Sequence, residues 1–70
     1  MSAEYAKIRY TGNATKLCEI LKEKIDINEI KKVGIDKIFL SLPIGTMDDL
    51  MFLKSFLETE GIKIHNVINI

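Results

Sequence analysis

Few side chains in this sequence carry chemistry beyond packing, and their types limit what they could do. His65 is the only histidine. It would serve as an acid–base group or a pH sensor. No spacing puts a nucleophile or a carboxylate beside it, so it reads as a solvated strand residue. Cys18 is the only cysteine. It excludes an internal disulfide and a cysteine-based zinc cluster. It shares a helical arc with Leu17 and Leu21, which reads as core packing. Two glycine-bearing segments, Thr11-Gly12-Asn13 and Pro43-Ile44-Gly45-Thr46, sit where a strand gives way to a helix. Helix N-termini present unpaired N–H groups to anions, so Thr11, Gly12, Asn13, Gly45 and Thr46 are the candidates for holding a small phosphate. Neither segment is a Walker or dinucleotide fingerprint. Asp48 and Asp49 would also repel an anion at the second site, which favours reading both segments as turns and caps.

A larger set of residues points to binding. If the strands alternate as their sequences suggest, one sheet face carries Tyr5, Lys7, Arg9, Phe39, Ser41, Lys63, His65 and Val67. Aromatic and cationic side chains on an exposed sheet suit protein contact, because Tyr, Phe and Arg are enriched at interfaces. They also suit stacking of single-stranded nucleic acid. The leading expectation is a non-catalytic regulatory or adaptor module that binds a protein, or another copy of itself, through this face or an edge strand. Nucleic-acid binding on the same face is the alternative. A small-anion or enzyme-associated role for the two loops is the third. No cofactor and no metal site is expected. Met51 and Phe52, on the outer side of a helix, give weaker support for an interface.

Elements that would position these residues follow from periodicity. Residues 4–10 alternate as a strand. Asn13 or Thr11 can cap an amphipathic helix over 14–25, whose buried arc is Ala14, Leu17, Cys18, Leu21 and Ile25. Ile27, Ile30 and Val33 suggest a short helical turn over 27–33, stopped by Gly34. Residues 36–42 are the most hydrophobic strand and are expected at the centre of the sheet. Thr46 then caps a second helix, acidic in its first turn, running to about Glu60 with Leu50, Leu53, Phe56 and Leu57 inward. Residues 62–70 alternate again, with Ile62, Ile64, Ile68 and Ile70 on one face. Strands separated by helices connect in parallel. The expectation is an α/β, two-layer β-α-β-α-β domain with a three-stranded, mostly parallel sheet and both helices on one face.

Seventy residues make one small domain of marginal stability. The apolar fraction of 47% is too high for a disordered tail. Such a surface is often shared with a second copy, so a homo-oligomer is expected. Ten basic and ten acidic side chains cancel, which argues against long-range steering of nucleic acid or anionic membrane. Nine of the ten basic residues are Lys, a weaker fork than Arg for base edges. The N-terminal Met-Ser-Ala-Glu-Tyr lacks an apolar signal core, and no apolar run reaches membrane-spanning length, so a cytoplasmic location is expected.

The stretch from Asp49-Leu50 through Leu57 to Gly61-Ile62-Lys63-Ile64 is similar in spacing to a segment of the serine recombinase catalytic domain. That family's upstream arginines give way here to Ser41-Leu42-Pro43 and Gly45, and Arg9-Tyr10-Thr11 stands where its nucleophilic serine would follow the first strand. The strand–Met47-Asp48–helix order resembles anti-sigma-factor antagonist domains, but with a shorter spacing to Gly61 and no Asp-Ser pair. Neither similarity carries a functional residue across.

Overall fold

Alternating apolar and polar residues build the long strands, a short fourth strand joins them, and two amphipathic stretches build the helices that cover them. The computed structural model describes residues 3–70. Met1 and Ser2, part of the stretch read above as lacking a signal core, lie outside the described residues. The order is β1 (Ala3–Thr11), α1 (Ala14–Lys24), β2 (Glu29–Lys32), β3 (Lys37–Pro43), α2 (Thr46–Thr59) and β4 (Lys63–Asn69). The strands form one sheet in the order β2-β3-β1-β4. Each neighbouring pair, β2 with β3, β3 with β1 and β1 with β4, is antiparallel.

This corrects the expected three-stranded, mostly parallel sheet. The cause is local. Residues 27–33, read as a helical turn from the spacing of Ile27, Ile30 and Val33, contain the strand β2 instead. Two β-branched isoleucines and a β-branched valine favour extended backbone over a helical turn. Asn28 N–H donates to the Ser41 carbonyl and Val33 N–H to the Lys37 carbonyl, closing a β2–β3 hairpin around Gly34. Once β2 pairs with β3, the chain becomes two interleaved β-α-β halves, the split form of that motif. Within each half the two strands still run parallel, as a helical crossover requires. However, a strand of the other half lies between them.

Both helices pack on one face of the sheet. The core joins Ala6, Ile8 and Tyr10 of β1 to Ile38, Leu40 and Leu42 of β3, with Leu17 and Leu21 of α1, Leu50 and Leu57 of α2, and Ile62 and Ile64. Asn13 caps α1 as expected, its Oδ1 accepting from the Lys16 N–H at 3.0 Å. The start of α2 differs from expectation. Gly45, at φ +94°, occupies the cap position without a side-chain bond, and Thr46 is buried inside the first turn. Phe56 also turns outward rather than into the core.

Tyr10 brings a phenol into this core. Its ring is buried, and its Oη has no hydrogen-bond partner among the described residues. Burial pushes its pKa above the ordinary 10.0, and Cys18 and Asp36 push it the same way. The folded chain therefore holds this proton to higher pH than the unfolded chain does. The contribution is complete below about pH 10 and is lost as pH rises beyond it. Tyr10→Phe is expected to add up to about 1 kcal/mol at neutral pH, since no partnered hydrogen bond is lost. It should also flatten the alkaline fall in stability. Urea unfolding of both proteins at neutral pH and above pH 10 measures both effects. A Tyr10→Phe protein less stable at neutral pH would show that the hydroxyl is satisfied.

Candidate functional site: the open sheet face

With both helices on one side, the other side of the sheet is bare. Cross-strand partners point to the same side of a sheet, so the register defines this face. Lys31 on β2 pairs with Phe39 on β3, Phe39 with Lys7 on β1, and Lys7 with Ile68 on β4. These four residues form one row across the whole sheet. In the next row Lys37 pairs with Arg9 and Arg9 with Asn66. On the other side of Phe39, Glu29 pairs with Ser41 and Ser41 with Tyr5. The rings of Tyr5 and Phe39 meet diagonally and stack, with centroids 5.8 Å apart and planes inclined by 21°. This offset contact leaves Tyr5 43% exposed.

Most of the expected interaction face is thus assembled as the alternation implied: Tyr5, Lys7, Arg9, Phe39, Ser41, Lys63 and His65. Val67 is the exception. It pairs with Ile8 and packs against the core, whereas Ile68 lies on the open side. The reason is a β-bulge. Arg9 opposes Asn66 while Tyr10 opposes Ile64, so β4 carries one extra residue, His65. An extra residue reverses the alternation beyond it. The sequence has one weak signal for this, the polar pair His65-Asn66 in the middle of an isoleucine-rich strand. The expected Ile62/Ile64/Ile68/Ile70 face therefore splits. Ile62 and Ile64 are buried, and Ile68 and Ile70 are exposed.

Charge is distributed unevenly. Lys7, Arg9, Lys31, Lys37 and Lys63 belong to the open face by register, against one strand carboxylate, Glu29. Asp36, at the margin, is held by Arg9 at 3.6 Å between half-exposed side chains. The helices are close to balanced, with Glu19, Glu23, Asp48, Asp49 and Glu58 against Lys16, Lys22, Lys24 and Lys54. A formally neutral chain thus presents a cationic sheet, which composition conceals.

No acid–base set forms around the titratable candidates. His65 Nε2 hydrogen-bonds Thr11 Oγ1 across the β1–β4 pair, and Asp36, on the other side of β1, is engaged with Arg9. Cys18 is half-buried on α1 beside a shallow concavity lined by Ala14, Thr15, Glu19, Lys22 and Lys32. Among the described residues, no three His, Cys, Asp or Glu side chains lie close enough to hold a metal ion. No helix among them is long and apolar enough to cross a membrane.

The two glycine loops do not converge. In an antiparallel pair, Ala3 opposes Pro43 and Arg9 opposes Lys37, so the loop after Thr11 and the loop after Pro43 lie at opposite ends of the sheet. Each is already occupied. Asn13 caps α1, and the Gly45 N–H donates to Glu4 Oε2 at 3.1 Å, so a carboxylate of the chain sits at the start of α2.

Comparisons with known protein families, curated proteins and solved structures find no match to this chain.

Proposed function

We propose that this protein is a non-catalytic binding module whose open sheet face holds single-stranded nucleic acid. The reading rests on one observation: a stacked Tyr5–Phe39 pair in the middle of the sheet, with lysines on both sides of Phe39 in the same row. Rings on a sheet surface stack unpaired bases without regard to sequence, and flanking cations follow the phosphates. The pattern also favours this ligand over the protein partner that the sequence first suggests. Lysine is depleted from protein interfaces, and here it is the commonest residue on the face. Sequence preference would be modest, because the face offers few groups suited to reading base edges.

Fluorescence anisotropy with labelled single-stranded RNA and DNA of mixed sequence tests this reading. Binding should weaken steeply as salt rises. Phe39→Ala should weaken it by about 5- to 150-fold, the worth of one stacked base. Lys7→Ala should weaken all sequences alike and reduce the salt slope by about one unit. No binding to either nucleic acid at low salt would end the proposal.

A further inference from the structure

The helix layer carries a second apolar feature, unrelated to the sheet face. On α2, Asp48, Phe52 and Phe56 recur every fourth residue and so lie along one stripe. Phe52 is 81% exposed and Phe56 also faces solvent. Lys24, in the last turn of α1, places its Nζ 5.2 Å from the centre of the Phe56 ring. The stripe therefore reads carboxylate, ring, ring with ammonium, each about one helical turn from the next.

That order is its own complement when reversed. In an antiparallel pair of α2 helices centred on Phe52, a residue a given number of positions after Phe52 faces the one the same number before it. Phe52 meets Phe52 at the two-fold axis. Phe56 and its Lys24 meet Asp48 of the other copy, and the symmetry makes that ion pair twice. We infer that α2 is a self-association surface, on which two copies of this chain pack antiparallel through Phe52 with Lys24–Asp48 pairs on either side. The contact is isologous and closed, so it yields a dimer rather than a filament. A single helix pair lies at the small end of interface sizes, so the dimer is reversible and concentration-dependent. Because the helices lie opposite the sheet, both open faces remain free in the dimer.

Sedimentation equilibrium over a wide concentration range, with circular dichroism as a check on folding, tests the inference. The natural chain should show a monomer–dimer equilibrium. Phe52→Glu should keep the fold and weaken the dimer by about 30-fold or more, as loss of a central aromatic anchor does. Asp48→Lys alone should also weaken it, and Lys24→Asp together with Asp48→Lys should restore it. Phe39→Ala should leave the dimer intact, which separates this surface from the sheet face. A monomer at every concentration would overturn the inference, as would a dimer indifferent to Phe52→Glu. If the charge-swapped pair fails to restore association, the antiparallel register is wrong.

Discussion

Leu40→Ala is expected to cost about 3 kcal/mol, roughly a third to three quarters of the stability a chain of this length has. Leu40 is fully buried at the centre of β3, opposite Ala6 on β1 and Ile30 on β2. Removing a buried leucine side chain costs its transfer free energy plus a cavity term, and the cavity term is largest where neighbours cannot collapse. Ala6 has no side chain to swing into the space, and the backbone on both sides is fixed by strand pairing. The total available is small. At about 0.05–0.15 kcal/mol per residue, a chain of this length has a stability on the order of 4–10 kcal/mol. Phe39→Ala, one residue away on the same strand, is the control. Phe39 is half-buried on the open side and loses the Tyr5 stack, about 1 kcal/mol, plus part of its own burial, leaving no closed cavity. Urea unfolding followed by circular dichroism compares the two directly. Equal costs would mean that the open face is not open, and the proposed binding surface would go with it.

The contrast between those neighbours was legible in the sequence. Alternation over β1 and β3 separates Ala6, Ile8, Ile38, Leu40 and Leu42 from Tyr5, Lys7, Arg9, Phe39 and Ser41, and the structure keeps that division. The helices were legible for the same reason, with Leu17, Leu21, Leu50 and Leu57 at helical spacing. Strand pairing was not. A four-residue strand, Glu-Ile-Lys-Lys, contains one inward apolar residue, too few to show a period of two, while its flanking Ile27 and Val33 complete a false period of three. That one misreading removed a strand and made the remaining ones adjacent and parallel. The consequences then reached the sites. A parallel sheet gathers its strand-to-helix loops at one edge, whereas the antiparallel sheet sends Gly12 and Gly45 to opposite ends. The bulge at His65 was hidden for a different reason: insertion of one residue leaves isoleucines on both sides of it, and only pairing with Arg9 and Tyr10 reveals which isoleucines changed face. The cationic face was hidden by arithmetic, since acids elsewhere, on the helices, in the loops and at Glu4, cancel the open-face cations in any count over the whole chain.

Gly12→Ala is expected to cost about 3 kcal/mol or more, although it adds a single methyl group to a turn near the surface. Gly12 has φ +135°, a conformation that strains any other residue. A Cβ there would also lie 3.0 Å from the Gly61 carbonyl oxygen and 3.1 Å from both Cα and Cγ1 of Ile62. Two of those atoms are backbone, and that backbone is tied down. Gly61 N–H donates to the Glu58 carbonyl and Ile62 N–H to the Leu57 carbonyl at the end of α2. Ile62 itself is buried. The turn leading into α1 and the turn leaving α2 are thus packed backbone to backbone, and Lys16–Glu60, 3.5 Å apart, spans the same junction. This close approach is what a glycine permits at position 12. Gly34 separates the two effects. Its φ is +120°, yet nothing lies within 4 Å of a Cβ built there. Gly34→Ala should therefore show strain alone, about 1–2 kcal/mol. Thermal or urea unfolding of both variants gives the difference, which measures how rigidly the two turns are locked. A Gly12→Ala protein no less stable than Gly34→Ala would mean that the α2–β4 turn moves aside freely. The space beside Gly12 would then be open to a ligand after all.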